Sequence, residues 1–170
     1  MRDIIAAVLD EYRLPLDGIH GRWHWLRVRH NGLALATATP DADLEVIEHF
    51  ALLHDSQRWD DGYDRDHGTR AAAFVERLAA AGIVSLERSR LDLLVRACAG
   101  HTLDRRAQDP TIACCFDADR LDLSRLLYEP EPAYMSTTAW ADAALRRQAW
   151  AQGSGDWRDE ETARVLGLAS

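Results

Sequence analysis

The chain contains no lysine: all 20 of its basic residues are arginine. That absence removes Schiff-base chemistry, lysine general bases and a phosphate-loop lysine from the functions open to it. Cysteine is scarce as well. Cys98, Cys114 and Cys115 make no disulfide framework, and sequence neighbours such as Cys114 and Cys115 cannot bridge without strain. They read as small core residues in a reducing compartment. No apolar run approaches the roughly 20 residues that span a bilayer. The stretch from Met1 to Arg13 carries acids and no long apolar centre, so it reads as no signal peptide, and a cytoplasmic protein is expected. The formal net charge of -8 disfavours nucleic acid and anionic membrane as partners. Alternating strand patterns and internal repeats are missing too.

What remains is helical periodicity. At 170 residues, with 47% hydrophobic side chains, the chain is long enough for one domain with a sizeable core. Ile4, Ile5, Val8, Leu9 and Tyr12 predict a first helix over 2–13, ended before Pro15. A second spans 19–39, with Asn31-Gly32 as a weak point. Asp41 or Asp43 caps a strongly apolar third helix running from Leu44 to His54. An acidic loop, 59–68, leads into a fourth helix over 69–81, closed by Gly82. Ser85 is the expected cap of a fifth helix ending at Gly100, and Asp109-Pro110 opens a sixth that carries Asp117, Asp119 and apolar residues to Leu127. Glu129-Pro130-Glu131-Pro132 is stiff and extended. Ser136 is expected to open a helix to Ala151, and 153–155 leads into a short terminal one, with Trp140, Trp150 and Trp157 docking this tail. The fold class is all-α.

The polar residues converge on a His-Asp doublet, His54-Asp55, at the end of the most apolar helix. The two point about 100° apart, so both can reach one ion at a helix terminus. His20 and His24 share a helix face, a spacing that can hold a metal without being a zincin motif. Asp119 sits among apolar residues, an expensive place for an unpaired carboxylate. His67 and His101 each lie where a loop meets a helix. The bland alternatives are a core histidine for His24, a helix N-terminal residue for His67 and a helix C-terminal partner for His101. Asp117 reads as a hydrogen-bonded structural acid, Arg105 and Arg106 as solvated charges, and His30 and His49 as exposed.

The order of His24, then His54-Asp55, then Asp119 resembles the HD-domain superfamily of metal-dependent phosphohydrolases. The words HGRWHWLRV, FALLHDSQRWDDGYDRDHGTRAA, ACAGHT and DPTIACCFDADRLDLSRL are similar to one bacterial subgroup, over residues 20–128. The resemblance implies a helical bundle of about six core helices over 1–135, with a C-terminal helical extension over 136–170 packed on the same domain. It implies His24, His54, Asp55 and Asp119 as ligands of a divalent transition metal (Mn, Fe, Co, Ni or Zn), with one ion or two, the second being held by His67 and His101 and bridged by Asp55. The expected substrate is a small phosphorylated molecule, a nucleotide foremost.

The sequence also departs from the superfamily's substrate-specific patterns. Gln57-Arg58 stands where alarmone hydrolases have Glu-Asp and nucleotidases a glutamate, and the Gly-Tyr-Pro word of the cyclic-dinucleotide enzymes is missing. Arg58 is expected to bind phosphate or to pair with Asp60 or Asp61. Asp61 is expected to orient a water, and His20 to orient His24 or that water. The alternative reading is a catalytically silent metal- or nucleotide-binding regulatory module.

Overall fold

A computed structural model describes residues 1–168, and among these there are helices and no strand. The α-helices are α1 (Arg2–Glu11), α2 (Arg22–Ala36), α3 (Leu44–Leu53), α4 (His67–Ala80), α5 (Arg88–Gly100), α6 (Pro110–Leu121), α7 (Ala143–Ser154) and α8 (Glu160–Leu166). Short 3-10 turns occupy Asp122–Leu126, Pro132–Tyr134 and Ala139–Ala141. The all-α expectation holds.

Helix α2 is the hub: it packs against α3, α6 and α7 and buries Trp23, Trp25, Leu26, Val28 and Leu35. A helix apolar on several faces has to be covered on several faces. Asn31-Gly32 does not break it. Gly32 is instead the point of closest approach, where an added Cβ would lie 2.5 Å from Ile47 Cγ2 of α3. The helix is shorter than expected because residues 15–21 are spent on tight turns, with Gly18 N donating to Pro15 O and Gly21 N to Gly18 O.

Caps decide the other boundaries. Asp43 accepts from Glu45 N and Val46 N, and Asp109 accepts from Thr111 N and Ile112 N, both as expected. Ser85 does not cap α5, whose N-cap is Glu87. The chain turns through Gly82 (φ 75) and buries Val84, so the segment at Ser85 runs on before the helix begins. Ser136 opens no helix either. Ser136 N and Thr137 N donate to the buried carboxylate of Asp117, at 2.8 Å each, and Thr137 Oγ1 donates to it as well. That pins the segment as irregular backbone, and α7 starts at Ala143 under Asp142. Asp117→Ala is therefore expected to destabilise the protein by about 3 kcal/mol, since three donors lose a buried acceptor. Urea denaturation checks this.

Two side chains are placed differently from expectation. His49 is 7% exposed and donates from Nδ1 to Glu45 O, and His30 is half-buried beside Trp157. Of the tail tryptophans, Trp140 and Trp157 pack on the core while Trp150 stays 37% exposed. All three cysteines are buried and free.

Candidate metal centre

The interior ends of five helices meet at one cluster of imidazoles and carboxylates. His24 comes from the first turn of α2, His54 from the C-cap of α3, and Asp55 from the turn that follows. Asp119 comes from the last turn of α6, His67 is the first residue of α4, and His101 is the C-cap of α5. The buried Phe50 ring stacks on His54 at 4.8 Å, so the apolar face of α3 sets the orientation of its terminal ligand.

The cluster has two halves that share Asp55. In one, His24 Nε2 lies 3.1 Å from His54 Nε2, 3.3 Å from Asp55 Oδ2 and 3.5 Å from Asp119 Oδ1. His54 Nε2 lies 3.7 Å from Asp55 Oδ2 and 3.8 Å from Asp119 Oδ1. In the other, Asp55 turns its second oxygen, Oδ1, to His67 Nε2 at 3.1 Å and His101 Nε2 at 3.8 Å. His67 Nε2 and His101 Nε2 are 2.9 Å apart, with Thr102 Oγ1 within 3.2 Å of both. Ligands about 2.1 Å from an ion stand about 3–3.5 Å from one another; the first half spans 3.1–3.8 Å and the second 2.9–3.8 Å.

The outer nitrogens decide what the inner ones can do. His24 Nδ1 is 2.7 Å from Asp122 Oδ2, His54 Nδ1 is 3.1 Å from Phe50 O, and His101 Nδ1 is 2.8 Å from Cys98 O. His67 Nδ1 faces Asp64 O in the same way. Each partner is an acceptor, so each Nδ1 donates a proton to it and each ring turns its Nε2 inward. Two lone pairs 3.1 Å apart, as on His24 and His54, repel unless a cation or an extra proton lies between them. Buried His/Asp groups in this arrangement could hold a metal ion.

The ionisation states agree. Burial pushes His54 down to about 3, so it stays a neutral donor at physiological pH. Burial opposes ionisation of Asp55 and Asp119, yet the surrounding imidazoles outweigh it and hold Asp55 well below the usual carboxylate range and Asp119 at about 2. Both are anions. For His101, burial is outweighed by the Asp55 hydrogen bond and the charges of Asp119 and Asp55, which push it up.

Comparison of the chain with protein-family models, with curated proteins and with solved structures finds no match. The site must be read from its own atoms.

Three residues that the sequence did not single out support it. Asp122, fully buried, accepts from His24 Nδ1 and, at 2.6 Å, from Arg27 Nε. Arg125 donates through Nε to Ile19 O and through Nη1 to Asp122 O. Their signals were available, since Arg27 lies three residues from His24 and Asp122 three from Asp119, spacings that bring side chains onto one helix face. What the linear pattern lacked was the tightening of α6 into a 3-10 turn at Asp122, which aims that carboxylate at His24.

The remaining site expectations need correction in detail. His20 packs edge-on against the His24 ring, with centroids 6.1 Å apart, but the group that fixes His24 Nδ1 is Asp122. His20 Nδ1 instead pairs with Asp61 Oδ1 at 2.8 Å. Arg58 pairs with the carboxylate of neither Asp60 nor Asp61, donating to the carbonyls of Asp60 at 3.3 Å and Gly62 at 2.8 Å. Arg105 and Arg106 are both exposed, as expected, with Arg105 over the Tyr134 ring and Arg106 donating to Met135 O. The cluster opens into a cleft of about 370 Å³ lined by His20, Arg58, Asp61, Asp119 and Arg125 among others. A larger groove of about 570 Å³, along α7 at Ala143 and Trp150, contains none of the His/Asp cluster.

Proposed function

We propose that this chain is a metal-dependent phosphohydrolase of the HD-domain type, acting on a small phosphorylated molecule of which nucleotides are the first class to test. The observation that carries the reading is the inward convergence of His24, His54, Asp55 and Asp119 ligand atoms beneath an arginine-lined cleft. Imidazole and carboxylate donors together suit Mn, Fe, Co, Ni or Zn. A divalent ion in this position supplies Lewis acidity, polarising a phosphoryl oxygen and making water a better nucleophile at neutral pH.

The protein's own groups supply the rest. Arg125 has two of its nitrogens committed to carbonyls, which holds the guanidinium at the cleft and leaves Nη2 for a phosphate oxygen. Burial pushes His20 down, so the ring is neutral at pH 7, and Asp61 fixes its Nδ1–H. That leaves Nε2 of His20 able to accept a proton from an attacking water. Arg120 spends its donors on the carbonyls of Asp104, Arg105 and Tyr134 and so braces the cleft wall. The overall charge of -8 does not oppose an anionic substrate, because a bound cation dominates the local field.

The second reading, a silent metal- or nucleotide-binding module, is favoured by Arg58, a basic residue where the HD-domain hydrolases that the sequence resembles place an acid. Elemental analysis of the purified protein together with a panel of nucleotides and sugar phosphates, assayed with added Mn, Co or Ni, separates the two. Metal-dependent phosphate release is expected. A protein that holds metal and turns over none of the panel supports the silent module.

A further inference from the structure

We infer that Arg58 serves as a built-in cation in the second half of the cluster, so that the chain holds one divalent ion and not two. This inference rests on the metal-centre reading above.

The guanidinium is placed there by design of the turn around it. Its Nε and Nη2 are tied to the carbonyls of Asp60 and Gly62, and the side chain is buried. The remaining nitrogen, Nη1, is thereby aimed into the second half, 3.2 Å from His67 Nε2 and 3.5 Å from Asp55 Oδ1. Those two atoms are the ones a second divalent ion would need. Nη1 lies over the His67 ring, 3.3 Å from Nδ1 and 3.2 Å from Nε2, so the guanidinium charge sits directly against the imidazole that a second ion would use. A guanidinium cannot shed its proton in a protein, so the positive charge is permanent. A second ion would have to sit against that charge and displace its hydrogen bonds. Both halves hold a close pair of imidazole nitrogens, 3.1 Å apart for His24 and His54 and 2.9 Å for His67 and His101, but only the second has a guanidinium against it: among the described residues the arginines beside the first half, Arg27 and Arg125, hydrogen-bond to Asp122.

The single charge also explains how Asp55 can present both oxygens without a second metal. Oδ2 belongs to the ion site with His24 and His54, while Oδ1 is balanced by Arg58 and His67. With an ion bound in the first half, the carboxylate would lie between two cations, one of them covalently part of the chain.

The test is metal stoichiometry, read by equilibrium dialysis against Mn or Co with elemental analysis, and needs no activity. Wild-type protein should bind one ion per chain, and His67→Ala should leave that ion in place, while His24→Ala should remove it. Arg58→Gln should bind two, the second at least about a hundredfold tighter than any second ion in wild type, as expected when a buried unit charge beside a divalent site is removed. Two ions in wild type, or one ion in a folded Arg58→Gln variant, would overturn the role of Arg58 and leave the first site standing. Loss of the wild-type ion on His67→Ala would overturn it as well. No ion in any form, at any concentration tested, removes both readings. Far-ultraviolet circular dichroism on each variant confirms that the helices are kept.

Discussion

Protein carrying Asp119→Ala or His54→Ala should lose its bound divalent ion, falling from one per chain to near zero, and lose phosphohydrolase turnover by at least about 10³-fold. His54 Nε2 stands within 3.8 Å of His24 Nε2, Asp55 Oδ2 and Asp119 Oδ1, and its side chain is fully buried. Asp119 is the most exposed of the four ligands, with 22% of its side chain open, and lines the cleft together with Asp55. Its loss thus removes both a ligand and the anion next to substrate. The control is Asp117→Asn, two residues from Asp119 but facing the 136–137 segment. Asp117→Asn should keep its metal even where it weakens the fold. Unchanged metal content in His54→Ala and Asp119→Ala would sink the site assignment.

Acid should unfold the metal-free protein early. His54 titrates near 6.5 in an unfolded chain and about 3 when folded, because burial penalises its charged form. Below 6.5 the unfolded state takes a proton that the native state refuses, so stability is full above that pH and is lost as pH falls toward 3. The loss is about 4–5 kcal/mol from this residue at pH 3. Asp55 and Asp119 act in the same sense but lower down, since their depressed values mean that stability is lost below the ordinary carboxylate range. His101 opposes them. Its folded value is raised, so it favours the native state in acid and loses that contribution as pH rises through it. Divalent ion at 1,000 times its dissociation constant should add about 4 kcal/mol at pH 7, a rise of about 8–16 °C in Tm for a chain of this size. That gain should shrink as pH falls, because protons compete for the same nitrogens. Urea titrations at pH 7, 5 and 4, with chelator and with saturating Mn, measure both effects. A stability independent of pH over that range would contradict the buried, neutral state assigned to His54.

Helix type, helix order and most apolar faces were legible in the linear pattern, since a 3.6-residue period is a local property. Asp43 and Asp109 were legible as caps for the same reason: a cap needs only its own next three residues. Ser85 and Ser136 failed as caps because long-range demands overrode them, the burial of Val84 in one case and the donation of two backbone amides to Asp117 in the other. His49 looked solvent-facing because no sequence feature reports which side of α3 lies under its neighbours.

The site divides along the same line. By itself the sequence determined the absence of lysine chemistry, the helical class and the identity of the residues able to ligate a metal, because these depend on residue type and local spacing. Only the tertiary structure decided which of them meet. His24 and His54 are 30 residues apart and His24 and Asp122 are 98, and nothing short of packing α2 between α3 and α6 brings them within hydrogen-bond distance. It also decided the direction of each imidazole, because that is set by whichever carbonyl or carboxylate faces Nδ1 in the fold. The position of Arg58 belongs to the same category. Its presence beside the doublet is a fact of sequence, but its aim into the cluster is imposed by two carbonyls of a turn.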